Sequence, residues 1–182
     1  NISTGISENV IKFFEPFIEN GSLNSKIVIG SPFPHGPYGA SARHDIALFD
    51  LGALMGKIFN SNNVINYNLD TNISDSELKK YNIILIGNSK TNSVTHKINS
   101  KLPIYFDETK DFQIVSKITG KSYDYDYDAV ILKIENPFNT DKQYYLWIIN
   151  DSDEHVGKNL ELDNFYLLQG WIVDRDYDNV SH

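Results

Sequence analysis

His35, in the loop Ser31–Ala42 (SPFPHGPYGASA), and the adjacent pair His44 and Asp45 are the residues of this chain best suited to chemistry. Imidazole beside carboxylate can move a proton near neutral pH, and the same groups are ligands for a hydrolytic zinc ion. Zinc needs a third protein ligand, and His96, at the start of a later helix, can reach the same rim. Each of these residues also has an ordinary use. A carboxylate such as Asp45 at a helix start favours the helix dipole, and His44 fits a solvated first turn. The structural reading is preferred over a metal site. Asn88-Ser89-Lys90-Thr91-Asn92-Ser93 could hold an anion with backbone N–H groups and hydroxyls at a helix N-terminus. There is no Walker spacing and no G-x-G-x-x-G, so a nucleotide is poorly supported and a capped turn is the default.

Two acidic strips come next. Ser122–Asp128 (SYDYDYD) alternates, so in an extended chain Asp124, Asp126 and Asp128 share one face and Tyr123, Tyr125 and Tyr127 the other. Such a strip is commonly a charged edge that resists aggregation; its alternative is a cation or protein contact. Asp174, Asp176 and Asp178 occupy the first, third and fifth positions of a calcium loop, with Asn179 where the usual Gly would be. No Glu closes that loop before His182. Weak calcium binding there is the expectation, against the plainer one of a frayed polar terminus. No G-x-S-x-G and no recognisable glycosidase carboxylate pair is present, which counts mildly against an enzyme.

Bulk properties narrow the classes. The 182 residues suit one α/β domain, and 41% hydrophobic with 13% aromatic residues argue for a folded core. A net charge of -8 disfavours a nucleic-acid partner. No apolar run approaches the ~20 residues that cross a bilayer. The absence of cysteine removes disulfides, thiolate zinc sites and thiol catalysis, without fixing the compartment. Five N-x-Ser/Thr sequons, at Asn1, Asn20, Asn72, Asn150 and Asn179, exceed the roughly 2.5 that an Asn-rich composition gives by chance. They point to an exported, glycosylated surface. The chain opens at Asn1 without an initiator Met, so the expectation is a single domain over 1–182 cut from a longer exported protein.

The elements that must position these residues centre on Tyr81–Leu102. Asn82–Ile86 is apolar and rich in β-branched residues, the habit of a strand buried on both faces. Gly87-Asn88-Ser89 breaks it, and Asn92 or Ser93 can cap a helix bearing Val94, Ile98 and Leu102 at i, i+4, i+8. Pro103 stops that helix and Ile104–Phe106 starts another strand. Upstream, residues 6–19 form an amphipathic helix broken at Pro16, and Lys26–Gly30 is the first buried strand. Ser41 caps a helix over 43–59 and Val64–Tyr67 is the second strand. Ser74 with Glu77 is a capping box for a short helix. Later, Asp111–Thr119, Ala129–Ile134, Tyr144–Ile149 and Leu167–Val173 are strands, and a short helix fits Ser152–Leu160. This alternation predicts an α/β fold: a doubly wound, mostly parallel, three-layer sheet of flavodoxin or Rossmann type, with antiparallel strands added at one edge. The loops 31–42 and 87–93 fall where such sheets bind ligands.

IILIGNSKTNSVTHKINSKLP, ILKIENPFNTDKQYYLWIIN and the helix ARHDIALFDLGALMG together resemble archaeal surface-layer protein domains, over most of residues 26–160. The family pattern has a second Gly and a Pro after Gly87, where this chain has Asn88-Ser89, and a Gly-Thr pair where it has Asp153-Glu154-His155-Val156-Gly157. The resemblance implies an extracellular, cell-surface structural domain with no catalytic residues to carry over. The expected function is therefore non-catalytic, through contacts with other protein subunits or with domains of the parent chain. Two alternatives stay open: a flavodoxin-like enzyme, a metal-assisted hydrolase using His35, His44, Asp45 and His96, and a ligand-binding module built on the two loops.

Overall fold

In a computed structural model of the chain, the apolar runs Ile27–Ile29 and Ile83–Ile86 lie side by side on parallel strands. The structure describes residues 12, 14–42, 52, 55–56, 66–123, 129–139, 145–150, 171–173 and 180–181. In chain order the strands are β1 (Ile18–Glu19), β2 (Ser22–Leu23), β3 (Ser25–Ile29), β4 (Tyr67–Leu69), β5 (Asn82–Ile86), β6 (Ile104–Asp107), β7 (Gln113–Ser116), β8 (Ser122–Tyr123), β9 (Ala129–Glu135), β10 (Tyr145–Asn150), β11 (Trp171–Val173) and β12 (Val180–Ser181). The helices α1 (Asp75–Lys80) and α2 (Ser93–Ile98) flank β5, and a 3-10 turn, Asn99–Lys101, extends α2.

Among the described residues, seven strands form the main sheet in the order β12-β11-β9-β10-β5-β3-β4. The pairs β10–β5, β5–β3 and β3–β4 are parallel. The pairs β10–β9, β9–β11 and β11–β12 are antiparallel. Every residue of β5 is buried, as a strand covered on both faces requires.

The doubly wound, three-layer fold expected from the sequence is not what the chain adopts. Ile104–Phe106, expected as a further parallel strand, belongs to a separate three-stranded antiparallel sheet, β6-β7-β8. The antiparallel pairing of β6 with β7 follows from the length of their connection. A parallel crossover needs a dozen or more residues, whereas β7 begins six positions after Asp107. The turn closes tightly, with Phe112 N–H donating to Asp107 O at 2.9 Å and Asp111 and Phe112 at φ 50° and 62°. β6 and β7 alternate buried and half-buried residues, the pattern of a strand covered on one face only. The small sheet then takes a place in the layer that a doubly wound fold would fill with helices. Val28, Ile83, Leu85, Val130, Leu132 and Leu146 of the main sheet share one core with Leu78 of α1 and Val94 and Ile98 of α2. Ile104, Phe106, Ile114 and Tyr123 of the small sheet complete it.

Local signals hold where they are local. Ser74 and Glu77 form the capping box that starts α1. Asn20 and Gly21, both at positive φ, turn β1 into β2. Helical backbone at Lys12 and Phe14 has ended before β1 begins, beyond Pro16. Of the helix expected over 43–59, Gly52, Met55 and Gly56 are described, all helical, with Met55 buried. The helix expected over Ser152–Leu160 lies outside the described residues. Among the described residues no helix is long and apolar enough to cross a membrane.

Candidate functional site

β3 lies between β4 and β5, so the chain leaves β3 toward one side and later returns on the other. Loops that depart from such a reversal open a crevice at the carboxyl ends of the strands. The 30–42 strap leaves β3, Asp70 follows β4, and the 87–92 loop leaves β5. Two asparagine and glycine devices bring them together. Asn92 caps α2, accepting from Val94 N and Thr95 N, while its Nδ2 donates to Ile86 O at 3.0 Å and Val28 O at 3.3 Å. One side chain thus ties the ends of β3 and β5 to the start of the helix. Gly30 lets the loops touch: a Cβ there would sit 2.0 Å from Thr91 O.

Asp70 is the centre of the rim. Its side chain is 0% exposed, accepts from Ser31 N at 2.9 Å and Ser93 N at 2.6 Å, and lies 2.7 Å from His35 Nε2. The second nitrogen of His35, Nδ1, lies 2.8 Å from Phe33 O. The strap is folded on itself by His35 N to Ala40 O, Ala42 N to Ser31 O and the turn Gly39 N to Gly36 O. Its tip carries Tyr38, whose ring meets those of Phe112 and His96 edge-on at 4.9 and 5.7 Å between centroids.

The 88–93 loop is the capped turn that was its default reading, and most of its donors are filled from within. Asn88 Oδ1 accepts from Lys90 N and Thr91 N, Asn92 Oδ1 from Val94 N and Thr95 N, and Asp70 from Ser93 N. The protein supplies its own carboxylate where an external anion was the alternative.

His96 has a carboxylate of its own. Its Nδ1 lies 2.8 Å from Glu108 Oε1, which also accepts from Asn99 Nδ2 at 3.2 Å. Partial burial pushes the Glu108 pKa up, but hydrogen bonding to Tyr38 and His96 outweighs it, and the carboxyl is held below the usual range. On the other side, burial first and the Glu108 carboxylate second raise the Tyr38 pKa. Ser89 Oγ is buried beside this group and makes no hydrogen bond of ordinary geometry.

His35 and His96 therefore share a rim but serve separate carboxylates, Asp70 and Glu108. Those two acids were not singled out from the sequence. Asp70 had a signal, an acid just past the end of a parallel strand; Glu108 had none, because it acts through a turn whose path depends on the small sheet. His44 and Asp45, the strip Asp124, Asp126 and Asp128, and the calcium residues Asp174, Asp176 and Asp178 lie outside the described residues. Among the described residues no three His, Asp or Glu side chains are grouped to hold a metal ion. Of the sequon residues, Asn20 and Asn72 are exposed in turns and Asn150 ends β10, while Asn1 and Asn179 lie outside the described residues. No family model, no curated protein and no solved structure matches this chain.

Proposed function

We propose that this chain is a non-catalytic interaction domain of an extracellular, surface-layer-like protein, and that it meets neighbouring protein subunits through the 31–42 strap. The observation that carries this reading is Phe33, 72% exposed on a strap pinned at Ser31, His35 and Ala42. Pro32 and Pro34 on either side limit the freedom lost when that ring is covered. The polar groups around it are largely occupied in holding the loops, which suits a fixed surface better than a reacting one. Exposed turns at Asn20 and Asn72 suit the glycoprotein part of the reading, and calcium at Asp174, Asp176 and Asp178 belongs to it as the means of bridging subunits.

Sedimentation velocity over a concentration series tests this. The chain is expected to self-associate more in millimolar calcium than in chelator, and Phe33→Asp to weaken association with no change in melting temperature. Monomer at every concentration, or association indifferent to Phe33→Asp, defeats the proposal.

A second reading has one specific observation behind it. His96 Nδ1 faces Glu108, while Nε2 has no hydrogen-bond partner among the described residues. An imidazole oriented in this way can take a proton from water or a hydroxyl, as a hydrolytic site would need. Ester or phosphoester turnover that disappears in His96→Ala would put this reading first.

A further inference from the structure

We infer that the 31–42 strap is held closed by one proton shared between His35 and Asp70, so that the surface it presents is operated by that proton. The observation is a proton count. Phe33 O, 2.8 Å from Nδ1, can only accept; Asp70 Oδ2, 2.7 Å from Nε2, can only accept while ionised. Each contact therefore contains a hydrogen, and the pair holds two protons. A neutral imidazole beside an ionised carboxylate holds one. The second proton sits on the ring or on the carboxyl, and the count is the same either way.

Release of that proton to water leaves two lone pairs facing each other at hydrogen-bond distance, either at Asp70, whose carboxylate is 0% exposed, or at the exposed contact with Phe33 O. The strap has few other holds. Residues 32–34, 36–39 and 41 are exposed, and Gly36 and Gly39 sit at φ 64° and 56° in the turn. The remaining ties among the described residues are Ser31 N on Asp70, Ala42 N on Ser31 O, His35 N on Ala40 O within the strap, the Tyr38 ring on Phe112 and His96, and the Tyr38 hydroxyl on Glu108. The first depends on the same carboxylate. Among the described residues, the titratable groups on the surrounding elements have partners elsewhere. Lys90, after β5, lies 3.8 Å from Asp111, and His96 of α2 is on Glu108. Tyr38, on the strap itself, is turned to Glu108. Asp70, at the end of β4, is the acid that faces the ring.

This inference rests on the proposed interaction surface only for its consequence, since a proton can hold the strap whether or not Phe33 meets a partner. Amide exchange and ring nitrogen shifts, followed by NMR across a pH series on the whole chain, test it apart from self-association. In the closed strap, either both His35 nitrogens are expected to be protonated or Asp70 is expected to carry the proton. As pH rises through the range where the open strap has lost this proton and the closed strap still keeps it, protection of the Ser31, His35 and Ala42 amides, corrected for intrinsic exchange, is expected to fall by up to about tenfold per pH unit, as one linked proton requires. His35→Gln is expected to remove that slope and leave β5 protection unchanged. A neutral ring beside an ionised Asp70 in the closed strap, protection that stays flat as the pair titrates, or a slope that survives in His35→Gln overturns the inference.

Discussion

Asparagine amides do much of the joining in this molecule. Asn82, Asn88, Asn92, Asn99 and Asn136 are buried, and each spends its amide on backbone groups. Asn99 stands in for a strand neighbour, pairing with both N and O of Phe106, and Asn136 donates to Leu78 O and Tyr81 O at the end of α1. Part of the Asn-rich composition is thus structural. At the same scale, Glu108 makes a pH prediction with a definite sign. Its carboxyl is held below the ordinary value by hydrogen bonding to Tyr38 and His96, against partial burial. A carboxyl with a depressed folded pKa adds stability above its unfolded value of about 4.5, and that contribution is lost as pH falls through the folded pKa. Glu108→Gln is therefore expected to lower the melting temperature at neutral pH, and the difference from the parent chain to close on acidification below the ordinary carboxyl range. A difference that is constant from neutral to acid pH would assign the loss to packing.

Among elements, Gly30 sets a close approach between the strap and the 87–92 loop. Its missing Cβ would overlap Thr91 O at 2.0 Å and press on Ala42 Cβ at 2.8 Å. Both neighbours are tied down, Ala42 through Ser31 O and the following Asn92 through Val28 O and Ile86 O, so neither gives cheaply. Gly30→Ala is expected to cost on the order of 1–3 kcal/mol in urea unfolding. Gly56→Ala is the control: that helical position is exposed, with nothing among the described residues within 4 Å of the added carbon, and is expected to be neutral or slightly stabilising. Equal effects of the two substitutions would show that the loops move apart freely.

For the whole molecule, the consequence of the small sheet is a single shared core. Ile114 of β7 is fully buried in the same cluster as Leu85 of β5 and Leu132 of β9. Ile114→Ala is expected to destabilise by about 2–5 kcal/mol. It should also lower exchange protection equally in β5 and β7, because one core gives one cooperative unit. Loss confined to β6–β8 would mean the small sheet opens alone. What the sequence determined by itself was local: the apolar runs of β3 and β5, the capping box at Ser74, the turn at Asn20-Gly21 and the break at Pro16. These follow from steric and hydrogen-bond rules acting over a few residues. The tertiary structure alone decided that β6 joins β7 and not the parallel sheet, since Ile104–Phe106 suits either partner until the turn at Asp107–Phe112 closes. It alone paired His35 with Asp70, 35 residues away, and His96 with Glu108. A carboxylate selects its donor by distance in space, and that distance is fixed only when the strands have found their order.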